Sequence, residues 1–100
     1  MKEYLYVLKL RSDLLVEDAW TEKEENIVGN HFSRLKMDTD NGKVILAGRT
    51  LNSDDTQFGI VIFLDESWDS AMEYMNKDPA VQEGVMTATL YPYRVALMKK

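Results

Sequence analysis

Apolar and polar residues alternate along some stretches of the chain and follow a helical period along others. Alternation or dense β-forming composition predicts strands over residues 3–10, 43–50, 57–65 and 85–98. The polar run "LNSDDT" between the second and third of these predicts a hairpin turn. Residues 11–20 follow neither period, and we interpret them as a loop.

Helical spacing dominates after that loop. Thr21 is followed three positions later by Glu24, which is the pattern of a capping box at a helix start. The apolar side chains that follow fall on one helical face; they are Ile27, Val28, Phe32 and Leu35. The "DNG" at 40–42 predicts the end of this helix, with Gly42 suited to a left-handed conformation.

A second helix is predicted from Ser67, a good N-cap residue, with Trp68, Met72 and Met75 on one side. Asp78 and Pro79 end it. The same Asp78 is placed to cap a short turn that has Pro79 at its first position and closes at Gly84.

The predicted order β-α-β-β-α-β is that of an α+β, ferredoxin-like domain, with two helices on one face of a four-stranded antiparallel sheet. One such domain accounts for residues 1–100. The last strand carries apolar residues on both of its faces, which predicts that the sheet is covered on both sides. Helices cover one side, so we expect a second copy of the sheet to cover the other in a homodimer.

Composition narrows the choice of partners. The net charge of −5 disfavours a nucleic-acid partner held by phosphate contacts. No apolar run approaches the roughly 20 residues of a membrane span, and the N-terminus lacks the features of a signal peptide. With no cysteine, one histidine and scattered acids, we predict a cytoplasmic protein without metal or other cofactor.

His31, the only histidine, is the first candidate for chemistry because it falls inside the apolar arc of the first helix. An imidazole titrates near neutral pH and suits general acid–base catalysis, usually with a carboxylate that orients it. Asp78 is the candidate carboxylate, since the two helices lie side by side on the sheet. The alternatives remain open: His31 as a core histidine, and Asp78 as a cap only.

Other residues are candidates for ligand binding. Arg49 and Arg94, on predicted strands, are suited to an anionic substrate group or to pairing with the many acids. Gly48 permits close approach of a ligand, or marks a bulge at the strand end. We interpret the tyrosines of the first and last strands as sheet packing; they are Tyr4, Tyr6, Tyr91 and Tyr93.

RNA-recognition motifs share the β-α-β-β-α-β order and carry stacking aromatics on their first and third strands. The stretches "LYVLKL" and "QFGIVIF" are similar to those strand motifs. However, Thr56-Gln57 stands in place of the basic-glycine start, and Ile60 in place of the central aromatic. An RNA-binding role is therefore disfavoured.

The chain from Tyr4 to Met98 resembles the YCII-related domain family, in the dimeric α+β barrel group with muconolactone isomerase-like proteins. The resemblance rests on "HFSRL" (31–35), "GKVILAGRT" (42–50), "FGIVIF" (58–63) and "KDPAVQEGVMTATLYPYRVALM" (77–98). It implies a ferredoxin-like protomer, a face-to-face homodimer, and a histidine–aspartate pair that His31 and Asp78 would supply. Similar proteins act on small cyclic or aromatic molecules, one of them as a dehydrochlorinase.

Two functions remain open from the sequence. In the first, the protein is a cofactor-independent isomerase or lyase in which His31 moves a proton, Asp78 orients the imidazole, and Arg49 or Arg94 holds a small cyclic substrate beside Gly48. In the second, it is a non-catalytic dimeric module that binds a metabolite or a partner.

Overall fold

The computed structural model describes every residue from Met1 to Lys100. Its regular elements are β1 (Lys2–Leu10), α1 (Glu22–Asp40), β2 (Val44–Arg49), β3 (Gly59–Asp65), α2 (Trp68–Asn76), α3 (Pro79–Gln82) and β4 (Met86–Pro92). The predicted β-α-β-β-α-β order is confirmed, with the one-turn helix α3 added between α2 and β4.

The four strands form one antiparallel sheet in the order β2-β3-β1-β4. The central strands β1 and β3 pair from Lys2 with Asp65 to Leu8 with Gly59. Strands β2 and β3 form the predicted hairpin, with an irregularity between Val44 and Leu46. The order of elements and the antiparallel sheet confirm the predicted ferredoxin-like α+β fold, with its helices on one face of this sheet.

Alternate residues of β1 fill the core between sheet and helices. Its helix-facing side chains share one apolar cluster with residues of both long helices and the other strands; the cluster comprises Tyr4, Tyr6, Leu8, Leu35, Val44, Val61, Phe63, Ala71, Met75 and Leu90. The apolar residues that alternate along β1 and those that repeat at helical spacing therefore pack in one layer between the sheet and the helices, as the sequence predicts.

The middle of the outward face is aliphatic on the two central strands. Its residues are Leu5 and Val7 on β1 and Ile60, Ile62 and Leu64 on β3, whereas Glu3 and Lys9 lie near the two ends of β1 on the same face. RNA-recognition motifs place their stacking aromatics on these two strands. The aromatic platform of such a motif is missing from this face.

Residues 11–20, predicted as a loop, contain two short 3₁₀ turns, Ser12–Leu15 and Glu17–Ala19. Leu14 is buried in a second small cluster with Ile27 and Val85. The indole of Trp20 donates a hydrogen bond to the Leu14 carbonyl at 2.7 Å. The segment is thus packed against the start of α1, although its sequence has no period.

The helix α1 begins as its capping box predicts: the Thr21 amide donates to a Glu24 carboxylate oxygen at 2.9 Å. Ile27 and Leu35, on the predicted apolar face, are buried, but Phe32 on the same face is 60% exposed. At about 100° per residue Phe32 lies about 140° from Ile27, at the margin of the apolar arc. It therefore stands beside the sheet rather than over it.

The predicted last strand, 85–98, is too long. β4 ends at Pro92, which pairs with Tyr4 and has no N–H to donate. Only two residues of β1 remain beyond that point, and Tyr93 still donates its amide to the Glu3 carbonyl at 3.2 Å. Residues 94–98 form no strand and cross the outer face near Ile62 and Leu46 instead. Arg94, predicted on a strand, lies in this C-terminal segment.

Candidate active site

His31 and Asp78 meet between α1 and α3. The His31 Nδ1 atom lies 2.6 Å from Asp78 Oδ1, with the His31 side chain 12% exposed and the Asp78 side chain fully buried. Ile27 and Leu35, one turn before and after His31, anchor that face of α1 in the interior. The two residues that sequence reasoning selected are therefore brought into direct contact.

Asp78 also forms the cap that its sequence context predicts. Its Oδ1 accepts the Ala80 amide at 3.0 Å, and Pro79 occupies the first position of α3. Gly84 closes the turn with a φ of 75°. Capping uses one backbone amide and leaves the carboxylate able to accept from His31, so the cap and the pair coexist.

The second carboxylate oxygen of Asp78 is held from the sheet. The Tyr6 hydroxyl on β1 donates to Oδ2 at 2.7 Å, and Tyr6 is fully buried. Sequence reasoning assigned Tyr6 to packing alone. Its hydrogen bond joins residues 72 positions apart, and no local pattern signals a contact of that separation.

These contacts determine the charge of the carboxyl group. Burial by itself raises the pKa of Asp78, but the hydrogen bond and charge of His31, with the Tyr6 and Ala80 donors, outweigh burial and lower it. Asp78 is thus a carboxylate at neutral pH and can only accept hydrogen bonds. The proton in the His31–Asp78 bond therefore belongs to Nδ1, so the lone pair of the neutral imidazole form is on Nε2.

His31 lines a cleft between α1 and the strands β2 and β3. The cleft has a volume of about 730 Å³, and ten of its seventeen lining residues are apolar. Leu8, Phe32 and Ile60 are among them. A mostly apolar cleft with a few polar groups is typical of sites for small organic molecules.

The structure separates the other predicted ligand-binding residues. Arg49 and Gly48 line the same cleft as His31, and Arg49 forms no ion pair within the chain. Arg94 does not reach this cleft; it borders a smaller depression with the C-terminal segment at Ile62. Of the two arginines, only Arg49 shares a cleft with His31.

Gly59 is a cleft residue that sequence reasoning missed. It pairs with Leu8 in the sheet, on the helix-facing side. A Cβ atom at Gly59 would lie 3.3 Å from the Gly48 carbonyl oxygen and 3.7 Å from Leu8 Cβ, whereas one at Gly48 would meet nothing within 4 Å. The floor of the cleft is therefore shaped by Gly59, and the strand register needed to recognise this was not visible in the sequence.

No group of three or more His, Asp or Glu side chains is gathered where it could ligate a metal ion. None of the helices combines the length and the apolar character needed to cross a lipid bilayer.

Comparison with known proteins gives a family and a structural neighbour. The family model described as "YCII-related domain" matches residues 3–92. The 5-chloro-2-hydroxyhydroquinone dehydrochlorinase of Burkholderia phenoliruptrix AC1100, solved with 2,5-dihydroxybenzoquinone, superposes with a TM-score of 0.67 at 19% identity, over 92% of this chain and 93% of that one. No curated protein matches. The structural likeness shows a shared fold.

Proposed function

Because the chain belongs to the YCII-related domain family, we propose that it is a small-molecule enzyme, an isomerase or lyase that transfers a proton through His31 and Asp78. The observation that carries this proposal is the 2.6 Å bond between His31 Nδ1 and the buried Asp78 carboxylate, in the wall of an apolar cleft. The activity in the name of the structural neighbour, on a small cyclic compound, supports the reaction class.

In this mechanism the Nε2 atom of His31 accepts a proton from an acidic C–H or O–H of the substrate. Asp78 stabilises the imidazolium that results, because its charge lies 2.6 Å from Nδ1. In an elimination, the electron pair left behind forms a new double bond and the leaving group departs with its own bonding pair. In an isomerisation, the imidazolium returns the proton to a different atom of the same molecule.

Arg49 gives the cleft a binding point for negative charge. Its guanidinium lacks an internal ion pair, whereas Leu8, Val28 and Phe32 offer an apolar surface to a ring. An enolate or phenolate formed when His31 takes the proton would gain from such a cation. We therefore expect small cyclic substrates with an acidic hydroxyl or carbonyl group; Arg94 has no part in this binding.

The test begins with 2,5-dihydroxybenzoquinone and chlorinated hydroxyquinols as probes. Wild-type protein is expected to bind the quinone and to turn over a compound of this class, with His31→Ala slowing turnover by about 10²–10⁴-fold. Binding of the quinone by His31→Ala should stay within a few-fold of wild type. Full turnover by that variant would contradict the proposal. Binding without any turnover across such a panel would favour the non-catalytic binding module instead.

We also propose that the outer sheet face pairs with that of a second copy. Leu46, Tyr91 and Leu97 are 41%, 47% and 95% exposed, and they adjoin the aliphatic outward residues of β1 and β3. A domain of this size leaves much of its apolar surface uncovered, and contiguous exposed apolar surface marks an interaction site. Light scattering is expected to give the mass of a dimer; a concentration-independent monomer mass would contradict it.

A further inference from the structure

Tyr6 contacts the proposed catalytic pair from strand β1, through Asp78, and does not line the cleft. We propose that Tyr6 is the positioning residue of the pair: its hydroxyl holds Asp78 Oδ2, and this keeps Oδ1 on His31 Nδ1. The inference rests on the proposed role of His31 and Asp78. It adds that the sheet, and not only the α3 cap, determines where the histidine points.

The Tyr6 hydroxyl is itself held in place. The residue is fully buried on β1, with Val61 of β3 and Leu90 of β4 directly opposite. Its ring packs edge-on against Phe63, with ring centroids 5.6 Å apart. A hydroxyl carried by such a ring has little freedom to follow the carboxylate, so the carboxylate must adjust to it.

The direction of the hydrogen bond follows from the charges. Burial, and then the negative charge of Asp78, raise the pKa of Tyr6 far above its ordinary value, so the phenol stays protonated. Asp78 is ionised and carries no proton to give. The Tyr6 hydroxyl is therefore always the donor, and it takes up Oδ2 in every protonation state of His31.

The cap alone does not fix the carboxylate plane. Ala80 donates only to Oδ1, and rotation of an Asp carboxylate about its last bond is broad and two-fold. Without Tyr6, Oδ2 would be a fully buried oxygen with no donor, which is a costly state. The carboxylate would then turn toward another donor and draw Oδ1 away from His31.

The single histidine makes this measurable. In protein carrying isotope-labelled histidine, the Nδ1 proton of His31 gives one nuclear magnetic resonance signal, deshielded by the short bond to Asp78. In Tyr6→Phe at neutral pH this signal is expected to move upfield and exchange faster with water. Tyr4→Phe is the matched control: Tyr4 lies two residues away on the same face, is also buried, and donates no hydrogen bond to Asp78.

An unchanged signal in folded Tyr6→Phe would overturn the proposal, because the carboxylate would have kept its place without the hydroxyl. A downfield shift would overturn it too, since it would mean that Tyr6 competes with His31 rather than positioning its partner. A loss of stability without either change would make Tyr6 a packing residue.

Two further arms keep the test decisive. If Tyr6→Phe folds poorly, para-methylphenylalanine at position 6 fills the hydroxyl volume without a donor, and para-aminophenylalanine restores one. The amino variant is expected to recover the wild-type signal and the methyl variant to lose it; equal signals would overturn the proposal. The readout needs no substrate, so full activity in His31→Ala would end the proposed function while leaving this measurement standing.

Discussion

At the scale of single residues, the carboxylate of Asp78 carries the most connections. It accepts from Tyr6, His31 and Ala80, which belong to three different elements. Its cap was predictable from the Asp-Pro dipeptide, and His31 from its place on the apolar arc of α1. The Tyr6 bond was not, because it depends on the tertiary approach of residues far apart in the chain.

The lowered pKa of Asp78 predicts a pH dependence of stability. A carboxyl whose folded-state pKa lies below its unfolded value of 3.8 stabilises the fold above that pH, and the contribution is lost as pH falls through the folded-state value. Urea unfolding of wild type and Asp78→Asn should therefore differ most near neutral pH. The difference in unfolding free energy should shrink below about pH 4; a constant difference would contradict the prediction.

The shape of the cleft floor predicts a second single-residue effect. Gly59→Leu would place a side chain beside Leu8 and Arg49, because the Cβ atoms of both residues lie within 4 Å of the position that a Cβ atom at Gly59 would take. Binding of an anilinonaphthalene sulfonate probe, which joins apolar rings to an anion, is expected to weaken tenfold or more, about 1.4 kcal/mol. Gly29→Ala, on an exposed part of α1 outside the cleft, should bind as wild type. Equal probe affinities of Gly59→Leu and wild type would contradict the prediction, because the probe would then bind outside the cleft.

At the scale of elements, local sequence signals predict where the helices begin better than they predict where the last strand ends. Caps at Thr21, Ser67 and Asp78 mark the beginnings of the three helices where the structure has them. The end of β4 depends instead on how far its neighbour β1 extends, which its own alternation does not contain. Phe32 likewise fits the helical period but falls beyond the edge of the surface that α1 covers.

Replacement by alanine is expected to change the free energy of unfolding in opposite directions at two glycines, one inside α1 and one directly after its end. Gly29 lies inside the helix with nothing near its Cβ position, so Gly29→Ala should raise the unfolding free energy by about 0.5–1 kcal/mol. Gly42 follows the helix with a φ of 85°, so Gly42→Ala should lower it. Denaturant midpoints measure both; a gain at Gly42 would contradict the role of that glycine in ending α1.

At the scale of the whole molecule, the two faces of the sheet have different tasks. The helix side forms the core and the cleft, whereas the outer side has an aliphatic centre with the exposed side chains of Leu46 and Tyr91 beside it. The two-sided apolar pattern of the last strand predicts a covered outer face. The C-terminal segment covers only a part of it, beside Ile62.

The proposed homodimer predicts which exposed side chains matter for assembly. Tyr91→Glu, on the outer face of β4, should shift the mass measured by light scattering toward the monomer because it places a charge in the apolar interface. Met37→Glu, on α1 and similarly exposed, should leave the mass unchanged. Stability of the isolated protomer should change by less than about 0.5 kcal/mol in either variant. A dimer that survives Tyr91→Glu would place the interface elsewhere.

The hydrogen bonds of Asp78 span 47 residues to His31 and 72 to Tyr6, so the pair depends on contacts that close long loops. A nascent chain emerges from the ribosome N-terminus first. Its histidine is therefore made first and stays without its acid until 47 further residues have been synthesised. The proposed proton-transfer pair would therefore be complete only after Asp78 and the start of α3 have been added to the chain.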